Sequence, residues 1–362
     1  MRILSVNAGS STLKLSLLDE ADNVVARRQV EAVGGRFDAG TVAEQLADLP
    51  APPDAVGHRV VHGGREYIAP VRIDDEVERR LRALVELAPL HQPKSLAGIE
   101  AVRSALPGVP AVACFDTAFH ATLPDAAATY AVPEAWRRAY GLRRYGFHGL
   151  SHAYATRRAA ELTGTPLARL VVCHLGAGAS LSAVRDGRCV DTTMGFTPLE
   201  GLVMATRSGD VDPGMLLWLA ERTELTVAEI STALEHESGL LALAGTADMR
   251  EVLAAVDRGE PRAVLALDVY VHRLRGGVAA MAAALGGLDA LVFTGGVGEH
   301  APEVRRRAAA GLAFLGVVID LGANAEAAPD AEVTAPDASV RTFVIAARED
   351  LEIAAGVRAV LS

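Results

Sequence analysis

Aromatic residues make up only 4% of this 362-residue chain, and alanine carries much of its 50% hydrophobic content. Cysteine is scarcer still: Cys114, Cys173 and Cys189 are odd in number, widely spaced, and each in or beside an apolar run. That pattern argues against a disulfide framework and a zinc site, and predicts reduced thiols in a cytosolic, cytoplasmic protein. No apolar run approaches the roughly 18 residues of a membrane span, so none is expected. The N-terminal MRILSVNAGSS lacks a long apolar core and a cleavage pattern, which predicts no secretory leader. Positive charge is in deficit, with 35 Lys and Arg against 45 Asp and Glu and a net charge of −10. That balance argues against nucleic acid or an anionic membrane as partner. An anionic substrate would need a local cationic site. The Walker pattern GxxxxGK[ST], the protein-kinase motifs and the zinc-binding HExxH are also missing.

What is present starts with Leu170–Asp212. The apolar run Leu170-Val171-Val172-Cys173 breaks at Gly176 and Gly178, as a buried strand feeding a tight turn does. A second strand and the hairpin signal Asp186-Gly187 follow. The stretch ends in the polar loop Thr206-Arg207-Ser208-Gly209-Asp210. Residues 2–31 repeat the plan: a strand, the small-residue turn Asn7–Thr12, an alternating strand through Leu13, Leu15 and Leu17, then a third strand. Aligning Thr12-Leu13 with Ser180-Leu181 predicts two similar halves. Helical spacing is read at Asp75–Leu87, Ser95–Leu106, Ser151–Leu162 and Arg262–Leu285. Buried strands are read at Ala55–Val61, Val112–Phe115, Asp289–Phe293 and Val340–Ile345. Strands alternating with helices predict an α/β fold, and the length predicts two domains.

Polar residues fall at strand ends: Asn7, Arg59, Asp116, His174 and Glu299. Ligands of open α/β sheets bind beyond those ends. Three glycine-containing turns, Asn7–Thr12, Gly176–Gly178 and Gly295–Gly298, each follow a buried strand and could cradle phosphates with backbone amides. Arg59 and Arg207 lie among glycines and small residues. Their planar guanidinium groups suit phosphoryl oxygens. His58/His62 and His148/His152 have the i, i+4 spacing of a metal helix, but the first pair lies in a strand and the second straddles Gly149. His148 instead reads as a hydrogen-bond donor, and His120 and His300 as structural. Asp116, directly after a buried strand, must be paired or functional. Glu349 reads equally as a Mg²⁺ ligand and as a helix N-terminal charge.

Seven segments together resemble the acetokinase family, of the actin and sugar-kinase superfamily: ILSVNAGSSTLK, GHRVVHGG, CFDTAFH, YGFHGLSH, CHLGAG, TPLEGLVMATRSGDVDPG and FTGGVGE. The resemblance runs from Arg2 to the C-terminus. It implies two duplicated ribonuclease-H-like (actin-like ATPase) domains flanking a nucleotide cleft. The expected division is an acid-binding domain of residues 1–146 plus 348–362 and a nucleotide-binding domain of residues 147–347. The implied reaction is ATP + acetate ⇌ ADP + acetyl phosphate by direct in-line transfer with Mg²⁺ or Mn²⁺.

By position, the resemblance makes Arg59, Asp116, His148 and Arg207 catalytic. Val61, Leu90, Phe147 and Pro198, with Arg59, would hold the acid. Lys14, His174, Gly176, Gly178, Asp248, Met249, Arg250, Gly295, Gly296 and Gly298 would bind nucleotide, and Asn7 and Glu349 the metal. A homodimer and a phosphotransacetylase as functional partner are also implied. Departures from the family pattern are Thr12, Gln92, Ser95, Ala177, His300 and Arg348. Alternative readings are a propionate or butyrate kinase, and a non-catalytic nucleotide-binding regulator.

Overall fold

The computed structural model describes residues 1–9, 12–32, 37–87 and 92–362. Its backbone falls into two compact units. The first comprises Met1–Ala121, Phe147–Tyr154 and Arg348–Ser362, and the second Thr122–Gly146 and Ala155–Ala347. Relative to a boundary at 146/147, Thr122–Gly146 lies in the second unit and Phe147–Tyr154 in the first.

The first unit holds strands β1 (Ile3–Ala8), β2 (Thr12–Leu18), β3 (Val24–Glu31), β4 (Ala55–Val60), β5 (Val71–Arg72) and β6 (Ala111–Phe115). They form one sheet in the order β3-β2-β1-β4-β6-β5. β1 to β3 are an antiparallel meander, β1, β4 and β6 run parallel, and β5 is a short antiparallel edge. Alternation decides the faces, because successive side chains of a strand point to opposite sides. Leu4, Val6, Leu13 and Leu15 pack on Val42, Leu46, Ala101 and Val102, from the helices Ala39–Ala47 and Gln92–Ala105. Ile3, Ala55, Val112 and Cys114 pack on Ile353, Ala354 and Val357 of the terminal helix Glu349–Leu361. That helix comes so close to β4 that a Cβ on Gly57 would lie 2.7 Å from Val357 Cγ2. Glycine is what permits the approach.

The second unit holds β7 (Arg169–Leu175), β8 (Ala179–Arg185), β9 (Arg188–Thr192), β10 (Ala290–Thr294), β11 (Ala331–Glu332) and β12 (Arg341–Val344). Read from its far edge, the sheet order is β9-β8-β7-β10-β12-β11. This is the first sheet's order with β7 in the place of β1, β10 of β4 and β12 of β6. The strand directions match as well. In each first turn a glycine N–H closes the loop: Gly9 to the Thr12 carbonyl at 2.7 Å, and Gly176 to the Gly178 carbonyl at 2.9 Å. The expected duplication is therefore present strand by strand. The long helix Pro261–Leu285 buries Leu267, Tyr270, Leu274 and Val278.

Some elements differ from their sequence reading. Residues 39–47 form a helix that starts where Asp38 accepts the Thr41 N–H at 2.7 Å. Asp75–Leu87 tightens into a 3₁₀ turn after Ala83, and the next helix begins at Gln92 rather than Ser95. Among the described residues, no helix is long and apolar enough to cross a membrane.

Candidate functional site

In the first unit, the ends of three adjacent parallel strands bring Asn7, Arg59 and Asp116 together. Asn7 lies near the end of β1, Arg59 near the end of β4, and Asp116 directly after β6. Arg59 Nε and Nη2 both donate to Asp116 Oδ2, at 3.0 and 2.6 Å. Arg59 Nη1 donates to Asn7 Oδ1 at 3.1 Å, and Asn7 Nδ2 donates to Glu349 Oε2 at 2.6 Å. Glu349, the first residue of the terminal helix, lies 3.6 Å from Arg59 Nη1. Lys14 is the cross-strand partner of Asn7 and is exposed.

Burial governs the charges here. The Asp116 side chain is 1% exposed. Burial raises the Asp116 carboxyl above the ordinary range, and Arg59 pulls it back. Burial also opposes the Arg59 charge, but Asp116 and Glu349 outweigh it and hold the guanidinium above its ordinary value. The result is a fixed cation anchored on one side and 17% exposed on the other.

His148 and two of the acid-pocket candidates, Val61 and Phe147, belong to the same unit, whereas Pro198 lies in the second. His148 precedes the helix Gly149–Thr163 in the left-handed backbone region, with φ 56°, where histidine is enriched among non-glycine residues. Its neighbours hold it there. His120 Nε2 and the Phe147 carbonyl are 2.9 Å apart, and Gly149 N donates to the Asp116 carbonyl at 3.0 Å. Phe147 is buried edge-on to His62, 5.7 Å between ring centroids. Val61 is buried as well. Gln92 clamps both backbone groups of His62 at 3.2 Å, so its longer side chain has a packing role. Leu90 lies outside the described residues.

The second unit carries the other candidates. His174 is the next-to-last residue of β7, opposite Thr294 in β10. The Gly176–Gly178 turn is tied to the arginine loop, because Ala205 N donates to the Ala177 carbonyl at 3.0 Å. That loop is laced by backbone bonds from Ser208 N to Leu234, Ser238 N to Thr206 and Leu240 N to Met204. Arg207 pairs with Glu235 at 3.1 Å, and its Nη1 donates to the Pro198 carbonyl at 3.4 Å. Burial lowers the Arg207 pKa, which Glu235 partly offsets. Pro198 is held in turn through Glu200, which accepts from Tyr130 and pairs with Arg144.

Gly295 starts a short helix, Gly295–His300, at the end of β10 with φ 78°. A Cβ there would lie 2.8 Å from the Leu175 carbonyl oxygen, whereas Gly296 faces open space. Asp248 caps the helix Met249–Asp257 and binds Arg250; the Arg250 hydrogen bonds hold its carboxyl at about 2. The Met249 side chain is buried.

The structure thus gathers Asn7, Arg59, Asp116 and Glu349 into one network, and links Arg207 to Pro198 and, through its loop, to Ala177. Sequence reasoning assigned no role to Glu235, Glu200, Arg144 or Arg305. Apart from Gly298 and Glu299, which lie just before Arg305, their partners are remote in sequence, and only the fold reveals them.

Two copies of one sheet plan, with glycine turns and charged groups at the ends of the parallel strands, are the plan of the actin-like ATPase fold. The acetokinase family model matches residues 31–355. The acetate kinase of Nostoc punctiforme is 43% identical, over 98% of both chains. The crystal structure of Porphyromonas gingivalis acetate kinase superposes with a TM-score of 0.92 at 36% identity, over 100% of both chains. That of a propionate kinase from Francisella tularensis gives 0.94 at 34%, over 99% of this chain and 100% of the other. The chain belongs to the acetokinase family.

Proposed function

We propose that the protein is a phosphotransferase with a carboxylate acceptor, moving the γ-phosphoryl group of ATP reversibly to acetate to give acetyl phosphate and ADP. The observation that carries this reading is Arg59, a permanently charged guanidinium anchored by Asp116 and Asn7 at the ends of three parallel strands. A carboxylate is already ionised at neutral pH, so no general base has to create the nucleophile. The task is to hold two anions together and stabilise charge in flight. Arg59 and Arg207 would supply the charge, His148 a further donor, and Asp116 would keep Arg59 aimed. Val61 and Phe147 would line the methyl pocket. Lys14, His174 and the glycine turns at Gly176–Gly178 and Gly295–Gly298 would take the phosphates, with Asp248, Met249 and Arg250 at the nucleoside.

Asn7 meets Glu349 through its Nδ2 donor while its Oδ1 accepts from Arg59; with the Asn7 amide turned over, Oδ1 would stand beside the Glu349 carboxylate as a second hard oxygen donor. That set suits Mg²⁺ or Mn²⁺, which keeps waters and phosphates as its other ligands. The bound ion would neutralise phosphate charge. The first unit would thus serve as the acid-binding domain and the second as the nucleotide-binding domain.

The helix Pro213–Arg222 buries none of its residues and leaves Leu217 64% and Trp218 59% exposed. A second copy covering this face would give the homodimer that the family resemblance implies. Three buried free thiols suit the reducing cytoplasm. A phosphotransacetylase would exchange acetyl phosphate with this enzyme.

Purified protein with ATP, Mg²⁺, acetate and hydroxylamine should yield acetyl hydroxamate. No product with any of several metals and nucleotides would sink the proposal. The likeness to a propionate kinase supports a second reading, since one methylene discriminates by only about 1–3 kcal/mol. A higher kcat/KM for propionate than for acetate would favour it.

A further inference from the structure

Arg305 is the bulkiest fully buried side chain among the described residues, and every acceptor it binds is a carbonyl oxygen. Its Nη1 donates to the carbonyls of Gly298 and Glu299, both at 2.8 Å. Its Nε donates to Asn324 Oδ1 at 2.8 Å and its Nη2 to the Asn324 carbonyl at 2.7 Å. Asn324 is itself fixed, since its Nδ2 donates to the Pro302 carbonyl at 3.0 Å. Burial lowers the guanidinium to about 10, so it remains charged at neutral pH.

A buried cation without a carboxylate is costly, and a methionine would fill similar space without the charge. What the guanidinium does that an apolar side chain cannot is grip. Gly298 and Glu299 close the short helix Gly295–His300, whose start carries the glycine turn after β10. A six-residue helix is too short to hold its own shape. Arg305 ties its carbonyl end to Asn324, while Glu299 Oε1 accepts the Ala347 N–H at 2.9 Å beyond β12. Two independent tethers therefore fix one short helix.

We propose that Arg305 is a positioning residue for the nucleotide: it holds the Gly295–Gly298 turn in its binding shape, so that ordering the turn adds no cost when nucleotide arrives. The proposal rests on the reading of that turn as a nucleotide contact. Lysine cannot replace it, because a single ammonium cannot span the helix carbonyls and both oxygens of Asn324.

The test is steady-state kinetics and ADP calorimetry on Arg305→Met and Arg305→Lys, with thermal melting of each. The expected result is an ATP KM and an ADP Kd raised at least ten-fold in both variants, with the acetate KM within two-fold of wild type. A lowered melting temperature with unchanged ATP KM and ADP Kd would overturn the proposal, leaving Arg305 a stability residue only. If neither variant folds, Asn324→Ala, which removes one anchor, must raise the ATP KM in the same selective way, and an unchanged value overturns the proposal. Should wild-type protein itself bind no ADP, the nucleotide reading of the turn fails first.

Discussion

Three buried histidines of the first unit tie stability to pH. Burial lowers His58 to about 3 and His62 and His120 to about 4, from an ordinary 6.5. Unfolding returns each to about 6.5. Between about pH 4 and 6.5 the unfolded chain therefore binds more protons than the folded one, so stability rises with pH. The full benefit is present above 6.5 and is lost as pH falls through that window. With three such groups the slope reaches about 4 kcal/mol per pH unit near pH 5, at about 1.4 for each proton. Urea unfolding between pH 5 and 7 measures it. The His120→Asn variant should show a slope shallower by about one proton, and an unchanged slope would remove His120 from the account. At this scale the sequence was most legible at Arg59 and Asp116, where a charge after an apolar strand demanded a partner. It was least legible for Glu235 and Arg305. Nothing local marks Arg305 as buried or Glu235 as half-buried until the chain folds around them.

Elements hold these residues through packing. The terminal helix carries Glu349 to Asn7 only because Gly57 lets Ile353 and Val357 lie against β4. Gly57→Val would force that helix away from the sheet. The expected cost is about 1–3 kcal/mol of stability, the usual range for overpacking a core. Activity should fall with it, because Glu349 moves with the helix. Urea unfolding and turnover on the same preparation check this, and wild-type values for both would show that the helix seats differently. The hairpins were readable from alternation and from the glycine turns, and the long helix Pro261–Leu285 from its period. The two-residue edge strands β5 and β11 were not, since two residues carry no periodicity. The helix Ala39–Ala47 was missed because its apolar positions are few and mixed with small residues.

For the whole molecule, duplication is the organising fact: one strand plan, used twice, with each unit's parallel strands ending in charged or polar groups. The resemblance between residues 2–31 and the segment from Leu170 exposed it in sequence, although identity between the halves is weak. Association belongs to this scale too. Sedimentation should find a dimer, and Leu217→Glu with Trp218→Glu should give a monomer, because two charges on one apolar face oppose its burial. A double variant that remains a dimer would place the interface elsewhere.

The role of Arg59 is tested most directly by kcat/KM for acetate in wild-type protein and in Arg59→Ala. Removing one preorganised donor at the reacting group costs about 10²–10³ in rate, or roughly 3–4 kcal/mol. A loss of that size is expected in a variant that still binds ADP as wild type does. Turnover of Arg59→Ala within a few-fold of wild type would contradict it.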